Sequence, residues 1–178
     1  VNFIPRRKVV LEEGTGTWCG YCPMGVLAID HLKETYGDQF IPIAVHNNDV
    51  MTVSKYDQGL RFSNFPIGLV NRTQLCYPML ENGGNYRMDG AGTFVEAVEK
   101  AMQQDQLGEI RIKSAELADG LLNIFAEVEF ALTPAQSDYR LIYVVTENDV
   151  IIPNAYQSNY LASYTQPIFG EFGSGGKY

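Results

Sequence analysis

Residues 8–45 read as strand, glycine-rich turn, helix, strand, and the turn "GTGTWCGYCPMG" (14–25) holds Trp18, Cys19 and Cys22. "KVVLEE" (8–13) is a short apolar run ending in acid, as expected of a buried strand. From Pro23 to Tyr36, Val26, Leu27, Ile29, Leu32 and Tyr36 recur at helical spacing, and Gly37 follows as a stop. "FIPIAV" (40–45) is again apolar and β-branched. This order predicts a βαβ unit with the cysteines at the carboxyl end of its first strand. Few chemistries suit such a turn.

A phosphate loop does not fit. Gly14, Gly16 and Gly20 give GxGxxxG, one residue out of register with a dinucleotide fingerprint, and no Lys-Ser/Thr follows Gly20. Half of a zinc site does fit, but a second ligand pair would come from Cys76, His31 or His46, which show no paired spacing. His31 reads as a helix-surface residue, and His46 with Asp49 in "HNND" reads as a loop pair at a strand end. Pro23 stands where haem attachment needs His. A redox dithiol asks for less. With Cys19 at or near a helix N-cap, unpaired amides of the first turn can hold its thiolate, and Cys22 lies one turn on, within reach of a mixed disulfide. No Lys, Arg or His neighbours them in sequence, so helix-end electrostatics would carry the pKa lowering.

Further along, a weak helix is expected near 54–62, and Pro66 should begin the strand "IGLV". "ENGGNYRMDGAG" (81–92) reads as loop. Thr93-x-x-Glu96 is a capping box opening a helix with Phe94, Val95, Val98, Ala101 and Met102 on its apolar face, ended by Gly108. "EIRIKSAE", "LLNIFAEVEFAL" and "YRLIYVVTE" then alternate as three antiparallel strands, the first two joined by "LADG". The expected division is 1–107 for the α/β domain and 108–178 for an antiparallel β unit. Beyond Pro153 no element is legible; "GEFGSGGKY" reads as a flexible end or a cut through a longer domain.

A formal net charge of −8 on 178 residues, with Arg6-Arg7-Lys8 as the one short basic cluster and a strand lead-in, argues against a phosphate-neutralising nucleic-acid surface. No apolar run reaches membrane-spanning length. The first residues carry neither an initiator Met nor a signal-peptide core, so an export signal would lie outside this sequence. Three cysteines are too few for a disulfide framework, and Cys76 in "TQLCYPML" reads as a small buried hydrophobe. Asn71-Arg72-Thr73 matches a glycosylation sequon, a weak signal.

"WCGYC" between strand and helix resembles the active-site turn of the thioredoxin superfamily. Glu13 stands six residues before Cys19, where that family keeps a buried acid that handles protons for the second cysteine. Alternation alone leaves open whether Glu13 or Glu12 faces inward. Trp18 precedes Cys19 as in the family, and Pro66 occupies the place of its cis-proline. "LEEGTGTWCGYCP", "VHNND", "FPIGLVNR" and "VVTENDV", in that order over residues 8–150, resemble more narrowly a thioredoxin-like family of Gram-negative anaerobes related to an outer-membrane protein.

The resemblance implies an α/β, thioredoxin-like fold with a C-terminal antiparallel β extension, a partial sandwich-like unit. It implies a cofactor-free thiol–disulfide oxidoreductase acting on protein thiols and disulfides in the cell envelope, periplasmic or outer-membrane-associated. Cys19 would be the nucleophile, Cys22 the resolving thiol, Glu13 the proton carrier, and Pro66 with Trp18, Gly20, Tyr21 and Phe65 the partner-binding edge. Two departures stand out. Gly14 replaces the aromatic usual after the acid, predicting looser packing beside the dithiol, and Phe65 puts a ring at the docking edge. The rival readings are a non-catalytic envelope module with a structural Cys19–Cys22 disulfide, and a metal-binding module.

Overall fold

A computed structural model of the chain describes residues 5, 7–131, 133 and 138–169. Among these, residues within Lys8–Gln103 and 146–169 form one compact unit, and those of 104–145 form another. The fold is mixed α/β, with three α-helices and several sheets.

In the larger unit, β1 (Val9–Thr15), α1 (Pro23–Tyr36) and β2 (Phe40–His46) make the expected βαβ unit, β1 and β2 running parallel from Val9↔Phe40 to Thr15↔His46. α2 spans Ser54–Leu60, and β3 (Ile67–Val70) begins directly after Pro66. β3 lies antiparallel to β1, and β4 (Gln74–Cys76) to β3, giving the sheet order β2-β1-β3-β4. β2 is therefore an edge strand and is only partly buried. Pro42, which has no N–H to donate, is tolerated there for that reason.

Both faces of β1 are covered, which settles the question of its two acids. Val9 and Leu11 pack with Ala28 and Leu32 of α1 and with Phe94, Val98 and Ala101 of α3 (Phe94–Met102). Glu13 shares that face, while Glu12 points to the opposite one and meets Tyr56 of α2. Glu12 and Glu13 are 1 % and 2 % exposed. Both acids are buried because α2 closes the second face. Arg72 holds Glu12 through Nη2–Oε1 at 2.7 Å and Nε–Oε2 at 3.0 Å. It reaches back because Asn71 and Arg72 turn with positive φ after β3, with Asn71 Oδ1 accepting from the Val10 amide.

The predicted apolar stripes hold with one shift. α3 buries Phe94, Val95, Ala97, Val98 and Ala101. α1 buries Met24, Gly25, Ala28 and Leu32, leaving Val26 exposed. Thr93 caps α3 as expected, its Oγ1 accepting from the Glu96 amide at 3.2 Å, but Glu96 Oε2 takes the Gly92 amide. α3 ends at Met102, well before Gly108.

Residues 81–92, expected as loop, contain a hairpin of β5 (Leu80–Asn82) and β6 (Asn85–Arg87). Its turn is Gly83-Gly84, both at positive φ, the glycine pair a tight two-residue hairpin demands. Beyond Pro153, where sequence showed no element, lie two 3-10 turns, Leu161–Ser163 and Pro167–Phe169. Leu161 and Phe169 are fully buried in a second apolar cluster with Met24 and Met79.

The smaller unit is the antiparallel hairpin of β7 (Gly108–Ala118) and β8 (Leu121–Phe130), turned by Asp119 and Gly120 and irregular between Ile112 and Ser114. The third expected strand, over 139–147, does not form; those residues carry no strand pairing. The Tyr139 ring meets Phe130 at 5.2 Å, a side-chain contact in place of a ladder. The tail 170–178, read as a flexible end or a cut, lies outside the described residues.

Candidate functional site

Cys19 and Cys22 form a disulfide at the carboxyl end of β1, with Cα atoms 5.4 Å apart. The helix begins at Pro23 as expected, but Cys19 lies three residues before its cap. Cys22, not Cys19, is the N-cap of α1, with Pro23 in its first turn, and Cys19 lies in the preceding turn. The reason is local: Pro23 has no N–H to lose at the first helical position, so the helix starts with it. Tight turn bonds link Cys22 N to Cys19 O at 3.1 Å and Gly25 N to Cys22 O at 2.9 Å. Both cysteines are buried, at 4 % and 1 % exposure.

Glu13 sits under the first turn of α1. Its Oε1 is buried without a hydrogen-bond partner among the described residues. Burial pushes its carboxyl from 4.5 up to about 8. Gly25 makes the approach feasible, since a Cβ there would lie 1.6 Å from Glu13 Oε1. Sequence reasoning missed Gly25; a glycine inside an otherwise regular helix was the available signal.

The residues expected at the docking edge do gather. The Phe65–Pro66 peptide bond is cis. The Phe65 ring meets Trp18 edge-on at 5.4 Å, and Trp18 Nε1 donates to Asn47 O at 2.6 Å. Trp18 is about half exposed, so it is no core residue. A cleft of about 330 Å³ is lined by Tyr21, Met24, Phe65, Pro66, Tyr77 and Met79, among others. Gly20 is buried beneath the Tyr160 ring. The expected loosening at Gly14 does not occur: a Cβ there would meet Phe62 at 2.6 Å and Phe65 at 3.1 Å, so those two rings fill the space. The two departures thus compensate each other.

A braced loop flanks the turn. His46 Nδ1 lies 2.7 Å from Asp49 Oδ2, which also accepts from the Thr17 amide at 2.8 Å. Although burial opposes it, the bonds from His46, Thr17 and Met51 hold the Asp49 carboxyl below its ordinary value. The pair is committed to the loop, as the sequence suggested. His31 lies on the exposed side of α1. Among the described residues no group of three or more His, Cys, Asp and Glu side chains is arranged to hold a metal ion. Cys76 is fully buried and free, and burial, then Glu96, push its thiol up to about 12. It is inert packing.

The segment after Pro153 completes the site, and sequence reasoning missed it entirely. Ser158 N donates to Thr17 O at 2.7 Å, Tyr160 N to Gly20 O at 2.8 Å, and Gln157 Nε2 to Cys19 O at 2.8 Å. Tyr160 meets Tyr21 edge-on at 5.4 Å.

No family model matches the chain, and no curated protein matches it. Among solved structures, HBP35 of Porphyromonas gingivalis matches with 27% identity and a TM-score of 0.40, over 61% of this chain and 37% of that one. The chain therefore spans well under half the length of that protein. No helix among the described residues is long and apolar enough to cross a membrane.

Proposed function

We propose that the protein is a thiol–disulfide oxidoreductase of thioredoxin-like fold that acts on protein partners in the cell envelope. The observation that carries this reading is a disulfide at a strand-to-helix turn with a buried carboxyl, its Oε1 without a hydrogen-bond partner among the described residues, beneath the same turn. The resemblance of "WCGYC", Glu13 and Pro66 to the thioredoxin pattern supports it, and its narrower form supports the envelope address.

The disulfide form accepts two electrons as follows. A partner thiolate attacks Cys19 Sγ, forming a mixed disulfide and expelling Cys22 as thiolate. Glu13, which holds its proton near neutral pH because charging it in a dry site is costly, supplies that proton to Cys22. A second partner thiolate then attacks the partner sulfur bound to Cys19. The partner leaves oxidised and Cys19 leaves as thiolate. In reverse, Cys19 attacks a partner disulfide, and Cys22, returning its proton to Glu13, resolves the intermediate. Reduction potentials set the net direction. Phe65, Pro66, Trp18, Gly20 and Tyr21 form the surface against which the partner lies.

The second reading, a non-catalytic binding module with a structural disulfide, draws on the burial of both cysteines. Insulin reduction in the presence of dithiothreitol separates the two. Turnover by the unmutated protein that vanishes in Cys19→Ser is the expected result. Absence of turnover in the unmutated protein, or its survival in Cys19→Ser, overturns the oxidoreductase reading.

A further inference from the structure

We propose that residues 157–160 are a tethered internal ligand. They close the Cys19–Cys22 site with the contacts an incoming chain would make, so a partner must displace them. The partner segment that does so is extended and carries an aromatic residue. The identity of the partner rests on the oxidoreductase reading above; the closure itself does not.

The segment's backbone hydrogen bonds come from amides two residues apart. Ser158 N and Tyr160 N, two residues apart, donate to Thr17 O and Gly20 O at 2.7 and 2.8 Å. In an extended chain, alternate residues present their N–H groups to the same side, so an extended partner segment can supply the same pair of donors. Just before those anchors, Gln157 Nε2 donates to Cys19 O at 2.8 Å and to Gly16 O at 3.2 Å. The carbonyls of Thr17, Cys19 and Gly20 are thus all engaged by one short segment.

The aromatic requirement comes from Gly20. A Cβ at Gly20 would lie 2.4 Å from Tyr160 Cγ, so the ring rests on the bare backbone between the two cysteines. Its edge-on contact with Tyr21, at an interplanar angle of 86°, sets its orientation. A glycine there leaves a seat for a flat ring, and this chain seats its own.

The segment is fastened at one end and weakly held over the disulfide. Leu161 and Phe169, just downstream, are fully buried against Met24 and Met79. Tyr160 remains 60 % exposed and Tyr156 71 %. Displacing 157–160 therefore removes hydrogen bonds that solvent or a partner can replace, without extracting the apolar anchor. The tether keeps the segment at high local concentration, so it excludes weak or non-extended competitors. Exchange needs a nucleophile at Cys19 Sγ, and Cys19 is 4 % exposed with the segment in place.

Reduction of the oxidised 178-residue chain by dithiothreitol under native conditions tests the closure. One reductant thiolate attacks Cys19 Sγ and Cys22 leaves. The second reductant thiol closes its ring and releases Cys19. Two electrons and two protons end on the cysteines. Alkylation and mass measurement follow the rate. Tyr160→Ala and Ser158→Pro, which deletes the amide donor to Thr17, are each expected to speed reduction about tenfold while retaining the far-UV spectrum. Should Ser158→Pro unfold the chain, Tyr160→Ala with Gln157→Ala carries the test. A synthetic peptide of residues 155–162 should slow reduction of the Tyr160→Ala protein, and the same peptide carrying Tyr160→Ala, with Tyr156 kept, should not. Rates within twofold of the unmutated protein, or equal protection by both peptides, overturn the proposal. Faster reduction of the variants with no insulin turnover by any form supports the closure and removes the oxidoreductase reading alone.

Discussion

The carboxyl group of Glu13 lies so close to the Cα of Gly25 that a methyl group on Gly25 would stand 1.6 Å from Oε1. A strand acid and a helix glycine, in different elements, are therefore one packing unit, and the turn carrying Cys22 is held by it. Gly25→Ala is expected to destabilise the oxidised protein by about 3 kcal/mol, as overpacking of a filled interior does. In a Glu13→Ala background the same substitution should cost less than about 1 kcal/mol. Urea unfolding of the four proteins measures the coupling, and strict additivity would refute the contact.

Burial raises the Glu13 carboxyl from 4.5 to about 8, so the folded chain binds this proton more tightly than the unfolded chain does. The sign follows. Its contribution is complete below about pH 4.5 and is lost as pH rises towards 8, at up to about 1.4 kcal/mol per unit. Glu13→Gln should remove that slope. Unfolding at pH 5, 6.5 and 8 compares the two proteins, and identical pH dependence would count against a protonated buried acid.

Glu12 is buried and held by Arg72 and by the Tyr56 hydroxyl. Its bonds raise the Arg72 guanidinium further above its ordinary value. Arg72→Met strands the carboxylate in a dry site and should cost about 3 kcal/mol. Pairing it with Glu12→Gln should recover most of the loss. A double variant as unstable as Arg72→Met alone would show that the arginine acts through packing.

Cys76 is fully buried, with its thiol pushed up to about 12. After complete reduction at pH 8, iodoacetamide is expected to label Cys76 only when denaturant is added. Rapid native labelling at this position would contradict its place between β3 and α3.

Local pattern made the first half of the site legible. The strand–turn–helix–strand order around Cys19 and Cys22, the Pro66 strand start and the Thr93 cap are encoded by neighbours a few residues apart. The β5–β6 hairpin was legible too, in Gly83-Gly84, but was read as loop because its strands are only three residues long. The start of α1 is legible in Pro23, which suits the first helical position and leaves Cys22 as the cap.

Other features had no local signal. Alternation places Glu12 and Glu13 on opposite faces, but only the arrival of α2 buries both. Gly14 looks like a packing defect until Phe62 and Phe65 are seen in its space.

By itself, then, the order of residues determined where the two cysteines sit and which short-range elements carry them, because periodicity and capping act within a turn or two of chain. Tertiary structure decided how the disulfide is enclosed. Gln157 reaches Cys19 across 138 residues, and no periodic pattern records which distant amide will fill a given carbonyl. Such partners are chosen only when packing brings the surfaces together, because each exposed polar group would otherwise be satisfied by water.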